Sequence, residues 1–106
     1  MEVKKISFIE KDSRVIFSGE LTLLTIDNSF EKKSKHLIKS GVLIFDLSNV
    51  SKVDTACLAW LLAMLELSNK TDCQLTFDKL PKDLIKLAQL SCVDMFLPKT
   101  DSKLNQ

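Results

Sequence analysis

Side-chain catalysis needs a nucleophile beside a base, a pair of carboxylates or a cluster of metal ligands, and this 106-residue chain offers little of any of them. Its only histidine, His36, follows the lysine-rich stretch Glu31-Lys32-Lys33-Ser34-Lys35 and reads as an ordinary surface residue of a solvated helix face. A Ser/His or Cys/His couple would rest on that residue alone. Cys57, Cys73 and Cys92 are odd in number, far apart and free of any C-x-x-C spacing. They support neither a zinc site nor a disulfide framework and read as reduced thiols. Gly19 and Gly41 are the only glycines, so no glycine-rich phosphate loop exists. Asp46 and Asp54 flank one segment, where turn and capping roles account for both. The residues argue for binding without catalysis, with no metal and no cofactor.

One arrangement does carry binding chemistry. Asp54 and Thr55 stand directly before a long apolar run, and both residue types cap helices because their oxygens accept the first free backbone N–H groups. A hydroxyl at a helix start also suits a phosphate, since the dipole and the free amides favour negative charge there. Capping is the plain reading of each residue taken alone.

The elements that must position this site can be read from the pattern. A hydrophobic share of 45% with two glycines and two prolines indicates one compact domain over residues 1–98, followed by a polar tail, 99–106. Fifteen Lys and Arg against fourteen Asp and Glu give a formal charge of +1, without the basic stripe that nucleic-acid binding requires. The run Met1-Glu2-Val3-Lys4-Lys5 is no apolar leader, and the longest apolar run, Ala56 to Leu65, is ten residues, short of the roughly 17 that span a bilayer. The expectation is a cytoplasmic protein that inserts in no membrane directly and reaches one only through a partner.

Alternation over Val3 to Phe8, a turn at Lys11-Asp12-Ser13 and the run Val15-Ile16-Phe17 closed by Gly19 predict a β-hairpin. Leu23, Ile26, Phe30, Leu37 and Ile38 recur at helical spacing to about Ser40, with Gly41 placed to end the helix. Val42 to Leu47 is a continuous apolar run and reads as a central strand covered on both faces. A loop, Ser48 to Val53, leads to a helix over Thr55 to Asn69; Cys73 to Phe77 is a further strand. Pro81 opens a final helix, Lys82 to Leu90. The strand–helix–strand unit from Val42 to Phe77 requires parallel pairing, so the fold class is α/β with a small mixed sheet and about three helices.

The helix after Asp54 has more apolar surface than one sheet can bury. Leu58, Leu61, Leu62 and Leu65 form one stripe, while Ala56, Trp60, Ala63, Met64 and Leu67 cluster on roughly the opposite face. Either the first or last helix of the domain covers this second face, or it is an exposed patch anchored by Trp60 and Met64. The expected partner-binding set is therefore Asp54, Thr55, Ala56, Cys57, Trp60, Ala63, Met64 and Leu67. An acyl chain lying on the same apolar face is a third reading.

At this point the residues resemble a known family. Phe45-Asp46-Leu47-Ser48-Asn49-Val50-Ser51-Lys52-Val53-Asp54-Thr55, followed by an aliphatic helix, is similar to the STAS signature of apolar strand, short loop and Asp-Ser/Thr helix start. Gly19-Glu20-Leu21 with Thr25 resembles that family's earlier Gly-Glu-Leu segment, and the element order matches from Val3 to Leu97. The triplet Val53-Asp54-Thr55, the Leu/Ala-rich helix, Leu87-Ala88-Gln89-Leu90 and the later Leu97-Pro98 look like the MlaB-type STAS subunits of Mla phospholipid-transport ABC systems. The resemblance implies a STAS fold and a cytoplasmic subunit bound to an MlaF-like ATPase. It would be peripheral to the inner membrane in a complex with a permease, regulating or stabilising a transporter that maintains outer-membrane lipid asymmetry. Anti-sigma-factor antagonists share the signature, and there the residue matching Thr55 is a serine phosphorylated by a partner kinase. This chain has Ala56-Cys57 where small residues, usually including glycine, are expected, and Thr22 where antagonists commonly carry Asp. Threonine at position 55, with Trp60 and Met64 in the helix, favours the transporter subunit.

Overall fold

In the computed structural model, which describes residues 2–98, four strands form one sheet in the order β1-β2-β3-β4. The strands are β1 (Ser7–Lys11), β2 (Arg14–Leu21), β3 (Gly41–Val53) and β4 (Cys73–Asp78); the helices are α1 (Asn28–Lys35), α2 (Thr55–Lys70) and α3 (Lys82–Leu90), with a short 3-10 turn at Asp94–Phe96. β1 and β2 form the expected hairpin, Phe8 opposite Phe17, while β2, β3 and β4 run parallel. The fold class is as expected, α/β with a small mixed sheet. The polar tail expected at 99–106 lies outside the described residues.

Right-handed crossovers between neighbouring parallel strands place α1 and α2 on the same face of the sheet. That face supplies Val15, Phe17 and Leu21 from β2, Phe45 and Leu47 from β3, and Leu75 and Phe77 from β4, all buried. The expectation that β3 is covered on both faces is thereby corrected. Its Val42 is 57% exposed and Ile44 only half-buried, because among the described residues no helix covers that part of the second face. On that open face Arg14 binds two carboxylates at once, its Nη1–H donating to Asp46 Oδ2 and to Asp78 Oδ2, each at 2.8 Å. One guanidinium thus ties β2, β3 and β4 together, and Asp46 and Asp78, paired across the strands, are kept from facing each other as bare like charges.

Three boundaries differ from the sequence expectation, each for a local reason. β1 begins at Ser7 and not at Val3, although the chain before it stays alongside β2, with the Glu20 N–H donating to the Lys4 carbonyl at 3.1 Å. Gly19 makes that approach feasible. Its φ is +110°, and a Cβ there would collide with the Lys5 carbonyl. The first helix does not start at Leu23 or run to Ser40: it occupies Asn28–Lys35. Asp27 caps it by accepting the Phe30 N–H at 2.8 Å, and at the other end the Leu37 and Ile38 N–H groups bond three residues back, tightening the chain out of the α-helix. Ser48 to Val53 is not a loop but the second half of β3, paired with β2 as far as Val53 opposite Leu21, with register shifts between Ile16 and Ser18 and between Gly19 and Glu20.

Four non-glycine residues, Asp12, Asp72, Lys79 and Cys92, hold the left-handed conformation, with φ between 55° and 59°. The first three sit at β-strand ends or helix-to-strand turns, and Cys92 follows α3.

Trp60 occupies the centre of the core. Its ring stacks on Phe45 at 5.7 Å and meets Phe17 and Phe30 at 5.3 and 5.1 Å, so it joins the sheet, α2 and α1. Its indole N–H donates to the Ser34 hydroxyl oxygen, whose own proton goes to the Glu31 carbonyl.

Candidate functional site

The long parallel pairing of β2 with β3 delivers Asp54 beside the loop that follows Leu21. Asp54 is extended, with φ −146° and ψ −169°, the geometry of a helix N-cap. Its Oδ1 accepts the Ala56 N–H at 2.9 Å and the Cys57 N–H at 3.4 Å, while its Oδ2 accepts the Leu23 N–H at 3.0 Å. One carboxylate therefore closes the start of α2 and fastens the loop after β2 to it.

The loop is shaped by its threonines. The Thr25 hydroxyl donates to the Glu20 carbonyl at 2.7 Å and accepts the Thr22 N–H at 3.0 Å; Thr22 Oγ1 accepts the Leu24 N–H at 3.3 Å. These bonds turn the backbone so that Thr22 and Thr25 are buried and Leu23 and Leu24 point outward, each 75% exposed. Two adjacent leucines are thereby held in water on a loop fixed by five hydrogen bonds from its own and neighbouring side chains.

Along α2 the buried residues are Cys57, Leu58, Trp60, Leu61, Met64 and Ser68, and the exposed ones are Thr55, Ala59, Ala63, Glu66, Asn69 and Lys70. The exposed-patch reading of Trp60 and Met64 is therefore corrected: Trp60 is 3% and Met64 1% exposed, and α1 covers Trp60 through Phe30 and Ser34. Cys57 is fully buried as well, and burial, with the Asp54 carboxylate nearby, pushes its thiol up to about 12, far from a reactive thiolate. Of the expected site residues, Asp54, Ala56 and Leu67 are half-buried, and Thr55 and Ala63 are at the surface. Thr55 and Ala63 share an exposed stripe of α2 with Ala59, and Asp54 fastens the Leu23 backbone beside the start of that helix; Ala59, Leu23 and Leu24 are outside the set expected from the sequence.

This outer stripe has small side chains one turn apart, so a partner's backbone can come close to it. On its α3 side, Val53, Asp54 and Thr55 face Asp83, Lys86 and Leu87 across a shallow cleft of about 430 Å³. Among the described residues no group of three or more His, Cys, Asp and Glu could hold a metal ion, and no helix is long and apolar enough to cross a membrane.

A family model described as "Mlab, STAS domain" matches residues 6–98. The chain belongs to the STAS family. No curated protein matches it by sequence. Among solved structures, this STAS domain is similar to an anti-sigma factor antagonist from Mycobacterium paratuberculosis, with 18% identity, 93% of this chain and 86% of that one covered, and a TM-score of 0.70. A putative anti-sigma factor antagonist from Thermotoga maritima gives 17% identity, 92% and 87% coverage, and a TM-score of 0.67. At such identities the likeness is one of fold. The STAS domain therefore carries its family's architecture, with Asp54 and Thr55 at the start of α2 where the signature places them.

Proposed function

We propose that this STAS domain is a non-catalytic subunit that binds, and so regulates or stabilises, the ATPase of an ABC phospholipid transporter. The partner is an MlaF-like protein assembled with a membrane permease, in a system that maintains outer-membrane lipid asymmetry, and the chain acts from the cytoplasmic side of the inner membrane. The observation that carries this reading is the exposed stripe Thr55, Ala59 and Ala63 on α2, with Leu23 and Leu24 exposed on the loop that Asp54 fastens to the start of that helix. The MlaB label of the matching family description supports the transporter over other STAS roles. The test is affinity purification of the tagged chain from its own cells. An ABC ATPase should co-elute at fixed stoichiometry, be lost with Ala63→Arg, and account for all ATP hydrolysis. Recovery of a sigma-regulatory kinase and no ATPase would overturn the reading.

A second reading is an anti-sigma-factor antagonist switched by phosphorylation at Thr55. The exposed Thr55 at the first position of α2 favours it. The first amides of α2 are already held by Asp54, so a phosphate on Thr55, with about −1.5 to −2 charges, would sit beside a carboxylate and repel it. In this reading modification acts by loosening the cap and the Leu23-Leu24 loop with it. Intact-mass measurement of protein from growing and stressed cells decides between the two, since stoichiometric phosphate on Thr55 would promote the switch.

A further inference from the structure

A groove of about 560 Å³ runs between the chain leading into β1 and the helix α1. That volume lies within the range of small-ligand sites, roughly 300–1,000 Å³. Its apolar lining includes Ile6, Phe8, Leu24 and Phe30, with the Phe8 and Phe30 rings 6.2 Å apart in an edge-on pair. Lys5, from the chain before β1, and Lys33, from α1, bring positive charge to it from two separate elements. The one carboxylate in the lining, Asp27, is engaged as the cap of α1 through the Phe30 N–H. The groove therefore combines an apolar bed with an excess of positive charge.

We propose that this groove binds a single-chain anionic amphiphile, with its carboxylate or phosphate end between Lys5 and Lys33 and its hydrocarbon chain along Ile6, Phe8, Leu24 and Phe30. Charge complementarity selects the anionic end, and the apolar bed selects a chain over a compact anion. A neutral lipid would leave the lysine pair without a partner, and inorganic phosphate would leave the bed uncovered. The site shares Leu24 with the partner surface proposed above, so an occupied groove bears on the loop fastened by Asp54.

The chain has one tryptophan and no tyrosine, and the ring of Trp60 lies 5.1 Å from that of Phe30 in the groove lining. Trp60 emission is therefore a built-in reporter. The full chain is titrated with oleate below its micelle concentration, with monoolein as the uncharged control and an anionic vesicle as the membrane control. The expected result is a saturable one-to-one change with oleate and a much weaker one with monoolein. Lys5→Glu with Lys33→Glu, both at exposed positions, should weaken oleate binding by about tenfold, equivalent to about 1.4 kcal/mol, with an unchanged melting temperature. Ile6→Asp is a second variant that removes the apolar bed without touching the lysines, and it should abolish saturation. No saturable response, equal binding of monoolein, or equal oleate binding by the charge-reversed variant would overturn the proposal. So would a response to anionic vesicles or to an acidic peptide with none to monomeric oleate.

Discussion

The Trp60 indole N–H donates to the Ser34 hydroxyl at 3.0 Å, and this bond joins the centre of α2 to the last turn of α1. Both groups are buried, Ser34 completely. Trp60 thus fixes α1 over the core, while Thr55, Ala59 and Ala63 of α2 stay exposed. Trp60→Ala should lower stability by about 3–5 kcal/mol, a large part of what a domain of this size has. Ser34→Ala should cost about 1–3 kcal/mol by leaving a buried indole N–H unpaired. Chemical denaturation of both variants checks this, and a Trp60→Ala protein as stable as wild type would remove the indole from the core.

Asp54 should affect two elements at once. Its replacement by Ala removes a helix cap, worth about 0.5–2 kcal/mol, and releases the Leu23 N–H. Hydrogen exchange should therefore quicken at Leu23 as well as at Ala56 and Cys57. Faster exchange at the helix start with an unchanged Leu23 amide would show that the carboxylate is a cap alone.

The outer stripe of α2 should separate binding from folding. Ala63→Arg and Leu23→Ser lie at exposed positions and should change stability by no more than about 0.5 kcal/mol. Each should weaken the proposed ATPase complex by about 2 kcal/mol, the scale of an interface hot spot. Thr55→Asp should weaken it too, through charge beside Asp54. Calorimetric affinities paired with melting curves make the comparison.

Most of the architecture was legible because it rests on strong local signals. The hairpin, the central apolar strand and the capped helix at Thr55 each carry a pattern of their own. What escaped the reading did so for physical reasons. Ser48, Asn49, Ser51 and Lys52 look like a loop, yet they belong to a strand that beyond Asp46 has left β4 behind and pairs with β2 alone, where polar side chains are at home. Leu23 falls on the helical spacing by coincidence, while Thr22 and Thr25 commit the backbone to a turn. Along α2, hydrophobicity cannot tell Ala59 and Ala63 from Trp60 and Met64, but size can: the large residues are inside and the small ones outside. A helix apolar all round is then partnered on one face and open on the other.

Acid should weaken the sheet through Asp46. Its burial alone would raise its pKa, but hydrogen bonds from Ser48 and Arg14 outweigh burial and hold the carboxyl below the ordinary value of 3.8. The folded chain therefore binds a proton at Asp46 less readily than the unfolded chain does. This contribution to stability is fully present above about pH 5 and is lost as pH falls through 3.8 and below. Asp46→Asn should flatten that acid limb, and Arg14→Leu, by letting the folded-state pKa of Asp46 rise toward its unfolded value, should flatten it as well. Denaturation midpoints from pH 2.5 to 6, in about half-unit steps, should show a shallower acid slope in Asp46→Asn than in wild type, and an unchanged slope would refute the assignment.

The four left-handed turns at Asp12, Asp72, Lys79 and Cys92 bear on how this protein can evolve. Each holds a side chain in a conformation that costs roughly 1 kcal/mol over glycine. The chain therefore has unspent mutational headroom at its turns, while Thr55, Ala59 and Ala63 lie on α2. A substitution that improves the partner surface at the expense of the fold can be compensated at a turn, with no residue of the interface or the aromatic core changing. On the proposed function, partner specificity and stability then drift at different rates, with Asp54, which caps α2 and fastens the Leu23-Leu24 loop, the residue that serves both.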